Sequence, residues 1–155
     1  MRPGDLAPDF TLNDHDATPF TLSEALRAGP VVLFFYPAAM SRGCTKETCH
    51  FRDLAAEFAA YGAQRVGISM DHAGRQARFA RKNSVDFPLL SDPGGAVARL
   101  YGVKRGVDVL RVRRTTFVID VDTTILEVVT SEISMDAHAD RALEALARRD
   151  RGGRT

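Results

Sequence analysis

The stretch VVLFFYPAAMSRGCTKETCHF runs from Val31 to Phe51. Its first six residues, Val31 to Tyr36, form an unbroken apolar run of β-branched and aromatic side chains. A run without polar alternation predicts a central strand buried on both faces. It is far too short to span a bilayer, which takes about 20 residues. Past the junction the pattern changes period. Phe51, Leu54, Ala55 and Phe58 stand at helical spacing, and Gly62 is placed to end that helix. Both cysteines of the chain, Cys44 and Cys49, lie where the strand hands over to the helix.

Working outward, DFTL and PFTL flank the polar NDHDAT, which predicts a short N-terminal hairpin. SEALRAG reads as one or two helical turns ending at Gly29. Downstream, RVGISM predicts a strand, Ala73 to Asn83 a helix, FPLLS a short strand, and Ala96 to Tyr101 a short helix. TTFVID and TILEVVT predict an antiparallel pair joined tightly. A last helix is expected from Met135 to about Arg148, capped by Ser134. Strands alternating with helices predict an α/β fold, a mixed central sheet flanked by helices. With no repeat, low-complexity segment or linker, residues 1–155 read as one domain, with a flexible tail from about residue 149.

The composition, 45% hydrophobic and 26% charged with a net charge of +1, is that of an ordinary globular chain. No charge field of one sign argues for nucleic acid or a membrane surface as partner. The N-terminus carries acids and a proline where a signal peptide needs an apolar core, so a cytoplasmic location is expected. Two cysteines in a reducing compartment point to catalysis or redox sensing, not to a permanent staple.

In open α/β sheets, sites form beyond the carboxyl ends of the strands, and Cys44 lies just there. It precedes Phe51 by seven residues, so both fall on nearly the same helix face. A helix first turn offers unpaired N–H groups and the positive end of the macrodipole, which favour a thiolate. A buried, inert core cysteine fits the same position. Five residues of helix separate the two cysteines by about 7.5 Å along the axis and about 140° around it. A disulfide needs Cα atoms within about 4.4–6.8 Å, so the pair cannot bond while the helix is intact. The first turns would have to unwind. Other chemistries fit less well. His50, His15, His72 and His138 show no ligand spacing, so no metal is expected. The cysteine spacing is longer than C-x-x-C, and DPGG and GVKRG are too sparse for a phosphate loop.

Pro37, Ser41 and Cys44 stand in the P-x-x-x-(T/S)-x-x-C arrangement of peroxiredoxins. GCTKETC resembles the G-C-T-x-E-x-C of their bacterioferritin comigratory protein (Q-type) subfamily, within the AhpC/TSA superfamily. The resemblance runs through GDLAPDFTL, VVLFFYPAAM, FRDL, VGIS, FPLLSD, YGVKRG and RTTFVID, and ends only at the last few residues. It implies a thioredoxin-like fold with an N-terminal hairpin extension. It implies a thiol peroxidase that reduces hydrogen peroxide and organic hydroperoxides without metal, haem or flavin. By position, Cys44 matches the peroxidatic cysteine, Cys49 a resolving cysteine of the same chain, and Arg114 the active-site arginine. Ser41 and Pro37 complete the implied catalytic set. Glu47 matches the motif too, although an exposed first-turn acid explains it equally well. The implied reductant is thioredoxin or a similar dithiol, and the implied assembly a monomer or weak homodimer. A thiol–disulfide oxidoreductase and a peroxide-sensing relay are the alternatives.

The subfamily commonly has Thr-Pro-Gly before the cysteine; this chain has Ser41-Arg42-Gly43. Serine keeps the hydroxyl. Arg42 removes a backbone restraint beside Cys44, which is expected to ease unwinding. The segment between Gly106 and Arg114, at the expected rim of the site, is short.

Overall fold

A computed structural model describes residues 1–106 and 111–152 of the 155-residue chain. Positions 107–110 of the segment before Arg114, and 153–155 of the expected tail, lie outside the described residues. The elements follow as β1 (Thr11–Asn13), β2 (Pro19–Thr21), α1 (Leu22–Ala25), β3 (Val31–Phe35), α2 (Arg42–Asp53), α3 (Ala55–Ala60), β4 (Gln64–Ser69), α4 (Ala73–Lys82), β5 (Leu89–Ser91), α5 (Ala96–Leu100), β6 (Thr115–Ile119), β7 (Ile125–Thr130) and α6 (Asp136–Arg151).

β1 and β2 form the expected N-terminal hairpin, with Leu12 opposite Phe20. The main sheet has the order β5-β4-β3-β6-β7; β3 is parallel to β4 and antiparallel to β6. This is the mixed, helix-flanked sheet of a thioredoxin-like fold. Every residue of β3 is buried, because the strand has a neighbour on each side and a covered face above and below. Side chains alternate across a strand. Val31, Leu33 and Phe35 enter one core with Tyr101, Phe117 and Ile119. Val32 and Phe34 enter the other with Cys44, Phe51, Phe58, Phe79 and Leu146. Phe34 and Phe51 stack at 4.2 Å between ring centroids, which pins α2 onto the strand that leads into it.

Three expectations need correction. The helix carrying the cysteines does not run unbroken to Gly62 but breaks at Leu54 (φ −97°, ψ 24°). The guanidinium of Arg65 explains the break. Its Nη1 donates to the carbonyls of Phe51 and Arg52 at 3.0 and 3.5 Å, occupying acceptors that a continuing helix would use. Ser134 does not cap α6, which starts after Met135 with no side-chain cap. Instead Ser131 Oγ accepts the Ser134 N–H at 2.9 Å in the turn before it. The tail expected from residue 149 does not begin there. α6 continues to Arg151, held by Arg149, whose Nε donates to Asp120 Oδ1 at 2.7 Å.

Candidate active site

The site gathers where β3 ends and α2 begins. Between them the chain makes a tight turn in which Met40 takes a positive φ of 72°, a conformation that costs energy for a side chain of this size. Asp71, two residues past β4 and almost wholly buried, holds the turn in place. Its Oδ2 accepts the Ala39 N–H and the Ser69 hydroxyl, both at 2.7 Å. Its Oδ1 pairs with Arg111 at 3.0 Å and Arg75 at 3.3 Å, so the buried carboxylate has partners on both oxygens. Pro37 is half-buried at the mouth of the turn, next to the fully buried Tyr36.

Ser41 is the N-cap of α2, in extended conformation (φ −73°, ψ 156°). Its hydroxyl accepts the Cys44 N–H at 3.4 Å and donates to the Ala38 carbonyl at 2.8 Å. The loop is thereby tied to the helix on which Cys44 sits. Cys44 is fully buried and is a free thiol. Burial pushes its pKa up; the charge of Arg114, then the Ser41 hydroxyl, pull it back, and burial wins. The groups that favour the thiolate are Arg114 and Ser41.

Arg114 arrives from just before β6 and is 7% exposed. Its Nη1 donates to Glu47 Oε1 at 2.6 Å, and its backbone N–H to Glu132 Oε2 at 3.2 Å. Its Nε is buried with no hydrogen-bond partner among the described residues, a donor in reserve. Gly43 explains how the guanidinium comes so close to α2. A Cβ at that position would lie 3.1 Å from Arg114 Nη2 and 3.4 Å from Met135 Sδ.

Glu47 is not the exposed helix acid of the alternative reading. It has no exposed surface, and burial pushes its pKa up to about 8 against the pull of Arg114. The sequence held a signal for this, because Cys44, Glu47, Thr48 and Phe51 occupy one stripe of α2 and all are buried. Beside Glu47 lies His138 of α6, also fully buried, with Nδ1 3.5 Å from Glu47 Oε2. Local sequence carries no signal for the roles of His138 and Asp71, whose partners lie far along the chain.

Cys49 looks elsewhere. It is part-buried on another side of α2, and its sulfur donates to Asn83 Oδ1, at the end of α4, at 3.7 Å. Arg52 Nη1 donates to the Asn83 carbonyl at 2.6 Å, tying the same helix turn to α4. The structure thus brings Cys44, Ser41, Arg114 and the turn after Pro37 together, and leaves Cys49 outside the group. Among the described residues no cluster of three or more His, Cys, Asp or Glu is arranged to hold a metal ion, and no helix is long and apolar enough to cross a membrane.

Comparison with known proteins places this geometry. Residues 3–128 match the model of the AhpC/TSA family. Peroxidoxin BcpB of Mycobacterium tuberculosis is similar in structure at a TM-score of 0.92 and 57% identity, over 100% of this chain and 99% of that one. The bacterioferritin comigratory protein of Xanthomonas campestris superposes at a TM-score of 0.82 and 30% identity, over 90% of this chain and 91% of its own. The chloroplastic peroxiredoxin Q of Sedum lineare is 37% identical over 143 residues, 92% of this chain and 76% of that one. With a buried thiol facing an arginine at a strand–helix junction, the chain belongs to the AhpC/TSA family as a peroxiredoxin of the bacterioferritin comigratory (Q-type) branch, a thiol-dependent peroxidase.

Proposed function

We propose that Cys44 is the peroxidatic thiol, that Cys49 resolves it within the same chain, and that a thioredoxin-type dithiol recycles the product, all in one cytoplasmic domain. The observation that supports this most is the separation of the two thiols. Cys44 is buried beside Arg114, while Cys49 is docked on α4 from the same helix.

In the first step the Cys44 thiolate attacks one peroxide oxygen, the O–O bond breaks, and the other oxygen leaves as hydroxide or alkoxide and takes a proton. Negative charge moves from sulfur to the leaving oxygen. Arg114 adjoins the sulfur and holds a buried Nε–H with no partner among the described residues, so it can stabilise that charge more in the transition state than before it. Ser41 holds the first turn and lowers the thiol pKa; Pro37 stiffens the loop and shields the pocket. The sulfenic acid on Cys44 then condenses with Cys49, losing water and forming a disulfide. That bond requires α2 to unwind, because five helical residues keep the sulfurs on different sides. The opened segment is then exposed to an external dithiol.

The Xanthomonas campestris relative is described as having alkyl peroxide reduction activity. For this chain we propose both hydrogen peroxide and organic hydroperoxides as substrates. Peroxide consumption coupled to thioredoxin and its reductase, run with several hydroperoxides, tests the reading. Turnover lost in Cys44→Ser supports it. Insulin reduction without peroxide turnover would make the protein an oxidoreductase, and stoichiometric oxidation without turnover a sensor.

A further inference from the structure

The buried cluster behind α2 holds one cation, Arg114, and two groups that can become anions beside it, Cys44 and Glu47. Two anions would leave a net negative charge in a site closed to water. Two neutral groups would leave a buried guanidinium unpaired. Both arrangements are costly, so one anion is the stable count.

Hydrogen-bond geometry indicates where the remaining proton goes. His138 Nε2 faces the Ser131 carbonyl at 2.8 Å, and a carbonyl only accepts, so Nε2 carries the ring hydrogen. Nδ1 is then a bare acceptor, receiving the Thr116 hydroxyl at 2.8 Å. Glu47 Oε2 sits 3.5 Å from that same Nδ1 with no hydrogen-bond partner among the described residues. The Thr116 hydroxyl already takes the Nδ1 lone pair, so Nδ1 offers Oε2 no donor. A bare carboxylate oxygen buried there costs more than a protonated one.

We propose that Glu47 and Cys44 share one proton across Arg114, and that the peroxide-reactive form carries it on Glu47, leaving Cys44 as thiolate. Formally, Cys44–SH and Glu47–COO⁻ become Cys44–S⁻ and Glu47–COOH. When the thiolate attacks, its negative charge departs with the alkoxide. The departing alkoxide takes a proton from solvent and Glu47 gives its own up to solvent, so Glu47 becomes the single anion opposite Arg114 and the proton count balances. Glu47 acts through Arg114, not on the peroxide, and is a positioning residue. The other titratable or charged groups around the pair are His138 and Arg141 of α6, Glu132 before α6, and Tyr36 at the end of β3. His138 is held neutral, because burial and the nearby Arg114 depress its pKa, although the Ser131 carbonyl opposes them. Burial drives Glu47 up to about 8, in keeping with a carboxyl that retains its proton.

This rests on Cys44 being the reacting thiol, and its test is read by titration, separately from turnover. Alkylation of Cys44 by iodoacetamide is followed against pH in the reduced protein by the mass of its peptide. Glu47→Gln imitates the protonated carboxyl permanently, so the Cys44 midpoint falls by about one pH unit or more and becomes a single step. A midpoint that stays or rises overturns the proposal. The reciprocal arm uses Cys44→Ser, with the Glu47 carboxyl followed by isotope-edited infrared spectroscopy. With no competing anion, Glu47 ionises at lower pH than in the parent; an unchanged titration overturns the proposal even if Glu47→Gln fails to fold. Peroxide turnover is measured in parallel. Its absence, with both shifts present, supports the shared proton and rejects the peroxidase assignment of Cys44.

Discussion

Two cysteines five residues apart on one helix occupy opposite chemical situations. Cys44 is sealed in a core beside a buried arginine, its backbone fixed by a serine cap. Cys49 is part-exposed, with a long contact to an asparagine at the end of α4. Helical geometry alone produces the contrast, since about 140° of rotation takes the chain from one wall of α2 to another. The comparison teaches that a helix can hold a nucleophile ready and keep its partner away, provided that its first turns can be undone.

The largest effect expected from breaking this contrast is at Arg114. Replacing it with Met removes the cation that favours the Cys44 thiolate and leaves Glu47 with no counterion. The peroxide reaction of Cys44, followed by stopped flow, is expected to slow about 10²–10³-fold, the usual loss when one charge-stabilising donor is removed. A rate within a few-fold of the parent would remove Arg114 from the mechanism.

Cys49→Ser attacks the other side of the comparison. The first equivalent of peroxide is still reduced at the parental rate, and steady-state turnover with thioredoxin collapses. Mass spectrometry is expected to find Cys44 as sulfenic acid or higher oxides. Undiminished thioredoxin-supported turnover would show that Cys49 is not needed.

Acid–base behaviour gives a subtler test. Unfolded, Glu47 ionises near 4.5; folded, it keeps its proton to about 8. Its folded pKa is raised, so the stability it contributes is complete below about 4.5 and is lost as pH rises through about 8. Glu47→Gln should therefore flatten the decline of Tm with pH across that window. An identical slope in both proteins would mean the carboxyl is not held protonated.

Arg42→Pro is the smallest change and sharpens the contrast. Arg42 is exposed at the first helical position, where proline fits, and Ser41 before it already has the extended backbone that a following proline demands. The variant is expected to gain about 0.4–1 kcal/mol in chemical denaturation and to capture the sulfenate more slowly. Unchanged capture and turnover would dismiss the idea that Arg42 eases unwinding.

Features built from local pattern could be read in the sequence; features built from distant partners could not. The β3 run was legible because burial on both faces removes alternation. The junction of strand, turn and thiol helix was legible because serine and the apolar stripe bracket it. The break at Leu54 was not, since its cause is Arg65 on the next strand, and neither was the continuation of α6, which depends on Arg149 reaching Asp120. Glu47 lies between these cases. Its stripe position hinted at burial, but its partner Arg114 is 67 residues away, so local sequence left a motif acid and a solvated acid equally open.

The account turns on α2 opening after oxidation, and hydrogen exchange across residues 42–53 tests that most directly. The measurement compares the fully reduced protein with protein given one equivalent of hydrogen peroxide, alongside mass analysis of the cysteine peptides. The account predicts a Cys44–Cys49 disulfide together with a marked loss of protection over the first turns of α2. A disulfide formed with α2 protection fully retained, or an oxidised Cys49 beside a reduced Cys44, would contradict it.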